Sequence, residues 1–237
     1  MQFTVAGRPW DSFDGYLFDI DGTLIHCTDA VHYFAFCEAL TAISGRALNL
    51  DGVNAHGNTD VGILRDAFAL AGVPDDQWRP RLPKIRTGMC RFVDANKEDL
   101  RPEPLPYVKE VLAHLSGKGA VLGVATGNLK GIGQLKLQRA GLLDFFKVGG
   151  WSDDFEQRSD VFRAAIKQMR SATQPSASFC ILGDTPADIR AARANGQPVI
   201  AIATGVYSRE QLAAESPDLC LQSFAELFAA RPTFREP

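Results

Sequence analysis

No two of the five cysteines, Cys27, Cys37, Cys90, Cys180 and Cys220, make a C-x-x-C pair. Such scatter argues against a cysteine metal centre and reads as reduced thiols, the usage expected of a cytoplasmic protein. Basic clusters are missing too. The 237 residues carry 25 Lys and Arg against 28 Asp and Glu, a formal net charge of −3, so the chain lacks the electrostatic footprint of a nucleic-acid surface. No apolar run approaches the ~20 residues of a membrane span. The stretch from Met1 to Gly15 has no basic flank followed by an apolar core, so no secretory signal is expected there. Internal repeats and low-complexity tracts are likewise absent. The composition that remains is ordinary for a globular chain, with 46% hydrophobic residues, enough to bury a sizeable core. The length fits one large domain or a core with a smaller companion. Oligomeric state cannot be read from it.

The stretch Tyr16 to Ile25, YLFDIDGTLI, stands out. A short apolar run ends at Asp19 and Asp21, and a Gly22-Thr23 turn follows. The pattern predicts a buried parallel strand reaching a sheet edge. Alternate residues of an extended stretch point the same way, so both carboxylates can face one site. A calcium loop would need more oxygen ligands at short spacing and a distal Glu, whereas here the chain turns apolar at once.

Beyond Ile25 the pattern becomes helical. Asp29 can cap a helix carrying Val31, Phe34, Cys37, Leu40 and Ile43 and ending near Gly45. Asn58 or Thr59 can cap a second, stopped by Gly72, and a third segment runs from near Ile85 to Asn96. No strand is expected between Asp29 and Leu100. Three prolines in Arg101–Pro106 mark one hinge, and the end of Ile25 another. From Tyr107, helices alternate with strands at Val121–Ala125, Phe179–Leu182 and Val199–Ala203. Alternation of this kind predicts a Rossmann-like, doubly wound parallel sheet core with an inserted all-helical unit. The expected division is 1–28 and 103–237 for the core and 29–102 for the insert. The C-terminal RPTFREP is expected to fray.

Polar residues gather where the strands stop: Asp19 and Asp21, then Thr126 and Asn128, then Asp184 and Asp188. In a doubly wound sheet those ends share one edge. Several carboxylates make a hard, oxygen-rich site suited to magnesium, which accepts carboxylates, waters and phosphate oxygens. Thr126 and Asn128 can donate to a phosphate, as can main-chain N–H groups around Gly22, Thr23 and Gly127. Phosphoryl transfer needs little beyond such positioning and charge. Of the histidines, His26 follows the first motif, His32 and His114 read as structural members of helices, and His56 is open.

At these residues the chain resembles the haloacid dehalogenase-like hydrolase superfamily, in particular its phosphoglycolate phosphatase-like members with a helical cap. Asp19-Ile20-Asp21-Gly22-Thr23 matches the first motif, Thr126 the second and Gly183–Ile189 the fourth. The resemblance implies that Asp19 is a nucleophile forming an aspartyl-phosphate and that Asp21 acts as general acid and base. It also implies that Asp19, the Asp21 carbonyl and Asp184 bind Mg2+ with Asp188 nearby, and that Thr126 holds the phosphoryl group. The third motif departs, because the usual lysine is missing. Arg158 stands in register and is preferred for the role, with Lys136 as the rival. The insert, Asp29 to Leu100, resembles a cap that excludes water and selects the substrate, which makes His56, Asn58 and Thr59 specificity candidates. The implied activity is magnesium-dependent hydrolysis of a small phosphorylated metabolite, phosphoglycolate-like or a sugar phosphate. A phosphosugar mutase of the β-phosphoglucomutase type is the alternative, as is a non-catalytic binding module. A 2-haloacid dehalogenase is disfavoured, because it would leave Asp21 and Asp184 without work.

Overall fold

We describe residues 3–229 of a computed structural model. The frayed end expected at RPTFREP lies outside the described residues. The chain opens with a small antiparallel hairpin, β1 (Thr4–Val5) and β2 (Arg8–Pro9), followed by β3 (Gly15–Phe18). Every residue of β3 is buried. Its side chains alternate: Tyr16 and Phe18 join one core layer and Leu17 the other. The Tyr16 hydroxyl, buried with its ring, donates to the Trp10 carbonyl at 2.9 Å, so burial leaves it satisfied.

Next come β4 (Ile25–Cys27), α1 (Val31–Ser44), α2 (Asp60–Leu70), the one-turn α3 (Asp75–Trp78), α4 (Leu82–Ala95) and β5 (Pro102–Pro104). The caps act as the sequence suggests. Asp29 accepts the Val31 N–H at 2.9 Å, and Gly45 closes α1 in the left-handed region. Thr59 caps α2 by accepting from Gly62. Among the described residues no strand lies between β4 and β5. The two hinge segments pair with each other instead, Ile25 against Pro104 and Cys27 against Pro102, as an antiparallel ribbon. Pro102 and Pro104 are tolerated because this two-stranded ribbon is all edge.

The remainder alternates: α5 (Val108–Gly117), β6 (Val121–Ala125), α6 (Lys130–Arg139), β7 (Val148–Gly150), α7 (Arg158–Ala172), β8 (Phe179–Gly183), α8 (Pro186–Ala194), β9 (Val199–Ile202), α9 (Arg209–Ala214), β10 (Leu219–Leu221) and α10 (Ala225–Ala229). Two short strands, β7 and β10, escape the sequence pattern. Helix α7 opens at Arg158, which places that side chain in its first turn.

The six strands form one parallel sheet in the order β10-β9-β8-β3-β6-β7. The first strand is therefore central, with Tyr16 opposite Leu122 on one side and Cys180 on the other. The chain builds outward through β6 and β7, then returns to the far side of β3 for β8, β9 and β10. That reversal makes the crevice between β3 and β8 the switch point, where open α/β sheets bind their ligands.

Helices α1, α2 and α4 share a separate apolar cluster around Leu40, Leu64, Phe68, Trp78 and Val93, which α6 closes with Leu129 and Ile132. Phe68 is fully buried and stacks on Trp78 at 5.2 Å. Because this cluster is distinct from the two that sandwich the sheet, Phe68→Ala is expected to cost about 3–5 kcal/mol. Hydrogen exchange should locate the loss in α1–α4 and leave the amides of β3, β6 and β8 protected; equal deprotection of the sheet would show that the two cores unfold as one.

Candidate active site

β3 and β8 both stop at the sheet's carboxyl edge and deliver Asp19 and Asp184 to the switch point. Asp19 is 5% exposed, Asp184 is 3% exposed and Asp188 is fully buried. One carboxylate oxygen from each of the three lies within 4.8 Å of the others. Local structure fixes each of them. Thr185 N-caps α8, and Asp188 completes a capping box, its carboxylate accepting from the Thr185 N–H at 3.0 Å and the hydroxyl at 2.6 Å. The buried Thr23 hydroxyl donates to Asp184 at 2.9 Å. Gly22 sits at φ +82°, and a side chain there would run into the Asp184 carboxylate. Thr23 and Gly22 therefore act on Asp184, and Thr23 has no wall of the cavity.

Arg158, at the first turn of α7, pairs with Asp19 at 2.8 Å and with Asp188 at 2.6 Å. Burial pushes the Asp19 carboxyl up to about 7; Arg158 opposes that rise, while Asp188 and Asp21 add to it. Burial likewise raises Asp184, helped by the neighbouring charges of Asp19 and Asp188. This is the electrostatic state of a carboxylate cluster with too little positive charge. Its donors are all hard oxygens, the set that suits Mg2+. On chemistry and spacing, the residues fit a small divalent ion.

Asp21 lies beside the cluster with its side chain 42% exposed. The buried Lys136 reaches both of its oxygens, at 2.9 and 2.8 Å. Asn128 donates to Asp21 at 2.8 Å and to the Thr126 hydroxyl at 2.8 Å. Burial on its own would raise the Asp21 carboxyl, but Lys136 and Asn128 outweigh it and hold the group below its usual range. The two cations thus divide the carboxylates between them: Arg158 meets Asp19 and Asp188, and Lys136 meets Asp21.

His32, expected to be structural, lies on the cavity wall beside Lys136. Its Nδ1 is 3.2 Å from the Lys136 ammonium and its Nε2 is 3.2 Å from Asp60. Asp60 in turn accepts the Leu129 N–H at 2.7 Å and donates its own N–H to the Gly127 carbonyl at 2.7 Å. Neither His32 nor Asp60 carries a local sequence signal, because each looks like an ordinary residue of a helical first turn. His114 and His26 differ. His114 is tied to Asp11 at 2.8 Å, far from the edge, and His26 is exposed on β4.

The helical insert closes over this edge. Thr59 donates to the Glu156 carbonyl at 2.9 Å, and Arg65 and Arg79 pair with the Glu156 side chain. Gly127 lies so close under Asn58 that a Cβ would overlap the Asn58 carbonyl. The half-open cavity is about 280 Å3, walled by Asp19, Asp21, Thr126, Asn128, Lys136 and Arg158 below and by the insert above. His56 and Asn58 lie on its wall and Thr59 does not. The Asn58 side chain is engaged with Asp66 at 2.9 Å and with the Thr59 N–H at 2.8 Å. Other cysteines play no part here, though the Cys27 thiol is 3.8 Å from Asp21.

Comparison with known proteins agrees with this architecture. The chain is 31% identical over 226 residues to a phosphoglycolate phosphatase of Synechococcus elongatus, covering 90% of this chain and 95% of that one. It is 25% identical over 220 residues to a probable phosphatase, IndB, of Dickeya dadantii, covering 90% and 91%. Among solved structures, a hydrolase from Pseudomonas syringae superposes with a TM-score of 0.65 at 18% identity, over 89% of this chain and 93% of that one; at that identity the likeness speaks for the fold. The family profile of the haloacid dehalogenase-like hydrolases matches residues 16–202, from the strand that carries Asp19 to the end of β9. The chain is therefore an enzyme that belongs to the haloacid dehalogenase-like hydrolase family.

Proposed function

We propose that this protein is a magnesium-dependent phosphatase that hydrolyses a small phosphomonoester through a phosphoryl group carried briefly on Asp19. The observation that carries this reading is the meeting of Asp19, Asp184 and Asp188 within 4.8 Å at the switch point, with Asp21 alongside. Asp19, Asp184 and the main-chain carbonyl of Asp21 would hold the ion, with Asp188 behind. When bound, it supplies positive charge to the phosphoryl oxygens and to the cluster.

In the first half-reaction an Asp19 oxygen attacks phosphorus, the bond from phosphorus to the alcohol oxygen breaks, and Asp21 gives the leaving oxygen a proton. In the second, Asp21 takes a proton from water as that water attacks the phosphorus, which releases phosphate and restores the Asp19 carboxylate. Thr126, Asn128 and main-chain N–H groups around Gly127 orient the phosphoryl oxygens. Arg158 fills the third-motif position by holding Asp19 against Asp188, and Lys136 aims Asp21. Residues 29–102 serve as the cap, which keeps bulk water from the intermediate. Phosphoglycolate, named by the Synechococcus relative, and sugar phosphates are the first substrates to assay. The cavity sits just under the ~300–1,000 Å3 range usual for drug-sized ligands, so the ester is small.

With Mg2+ and p-nitrophenyl phosphate the protein should release phosphate. EDTA should stop it, added Mg2+ should restore it, and Asp19→Asn should be inactive. Turnover by pure Asp19→Asn would remove the covalent step.

A second expectation concerns pH. In the metal-free protein the Asp19 carboxyl is raised to about 7, against ~3.9 in an unfolded chain. Between those values the folded form keeps a proton that the unfolded form has lost. Metal-free stability should therefore decline as pH rises from about 4 to about 7 and level off above that, and saturating Mg2+ should flatten the slope. Melting temperatures across that window, with and without Mg2+, read this directly.

The two cations should separate by substitution. Arg158→Ala should lower kcat by about 10²-fold or more and weaken the cluster, with Arg158→Lys partly restoring it. Lys136→Met should also lower kcat, and it should move the alkaline limb of the kcat/KM profile to higher pH, because Asp21, which must carry a proton to serve as the acid, loses the charge that depresses it. An unmoved alkaline limb would mean that Lys136 does not set the protonation of Asp21.

A further inference from the structure

The floor of the cavity accounts for the phosphoryl group, and the roof must account for the alcohol. The roof is formed by Tyr33, Phe36, Leu50, Ala55 and Ile63, an apolar and aromatic surface. Tyr33 is 39% exposed, a large ring left open to solvent beside the site. Phe36 is stacked on His32 at 5.0 Å with planes 23° apart, so it is a rigid face.

Polar groups near the roof are already committed. The three N–H bonds of Lys136 go to Asp21, to Asn128 at 3.0 Å and toward His32. His32 Nδ1 faces Lys136, while its buried Nε2 lies 3.2 Å from Asp60 Oδ2 without completing a hydrogen bond, and that same oxygen accepts the Leu129 N–H. The Asn58 amide is tied to Asp66 and to the Asn54 carbonyl, and its oxygen takes the Thr59 N–H. His56, exposed at the rim, has its imidazole open to a polar substituent.

A site that selects hydroxyls presents donors and acceptors to them, and an analogue that leaves such groups unpaired is rejected strongly. Here most of the groups that could read sugar hydroxyls, or grip a glycolate carboxylate, are engaged with one another. Resting on the phosphatase reading above, we propose that the alcohol half of the substrate is a compact apolar or flat aromatic body, recognised by contact with Tyr33, Phe36 and Ile63, in preference to a sugar or a glycolate. The small cavity admits one ring or a short branched chain beyond the phosphate.

The test compares kcat/KM for benzyl phosphate, 2-phosphoglycolate and glucose 6-phosphate on the purified full chain with Mg2+. All three release an aliphatic alcohol, so differences report recognition more than leaving-group chemistry. Benzyl phosphate should be preferred by about tenfold or more. Tyr33→Ala, at an exposed position that leaves the fold intact, and Ile63→Ser should each reduce that preference several-fold, with melting temperature checked for both. Faster or equal turnover of phosphoglycolate or glucose 6-phosphate overturns the apolar assignment and leaves the phosphatase reading standing. A benzyl preference unchanged in both variants also overturns it, because the roof would then play no part. Cleavage of p-nitrophenyl phosphate but of none of the three esters overturns the apolar assignment alone, whereas no cleavage of any of the four fails the phosphatase reading and the assignment with it.

Discussion

Three carboxylates buried side by side dominate the energetics of this molecule. Asp19, Asp184 and Asp188 have little water to solvate them, and one guanidinium stands among them. If all three are ionised, one Arg158 leaves two negative charges unbalanced, the charge that a divalent cation carries. Isolated buried charge is costly enough that side chains change protonation instead, which is the raised state of Asp19 and Asp184. The fold accepts this arrangement because three rigid features set it: two strand ends and the first turn of α8. Stability and function therefore pull in different directions at the carboxyl edge of the sheet.

The two buried cations resolve different parts of that conflict. Arg158 has a planar fork, and it reaches Asp19 and Asp188 at once, a task for which two separated acceptors suit a guanidinium better than an ammonium. Lys136 is a point charge with three donors, and it ties together Asp21, Asn128 and His32. Through His32 and Asp60 the same network runs into the helical insert. Closing the insert over the sheet and fixing Asp21 are thus parts of one set of polar contacts.

Much of this was legible in the sequence, for local reasons. Asp19, Asp21, Thr126 and Asp184 follow apolar runs at strand ends, and the capping box of Thr185 and Asp188 is a contiguous signal. The parallel sheet and the three longer insert helices follow from periodicity and from caps such as Thr59 and Gly45. What escaped depends on distant partners. Strands β7 and β10 are three residues long and only partly buried, too little to register as a pattern. His32 and Asp60 gain their roles only once α1 and α2 are folded against α6. Asn58 reads as a surface turn residue facing a ligand, yet its amide is engaged by Asp66 eight residues on. Lys136 reads as a helix-face cation, and only the approach of Asp21 from 115 positions earlier gives it an acidic partner.

The pairing of β4 with β5 has a mechanical meaning. Both passages of the chain between sheet and insert travel side by side and are laced together. A pair of independent tethers would let the helices slide, tilt and rotate over the sheet. A laced pair behaves as one strut, stiff to shear and soft mainly to bending and twist, so any opening of the lid would swing about a single line beside Ile25 and Pro104 and return each roof side chain to the same place above Asp19.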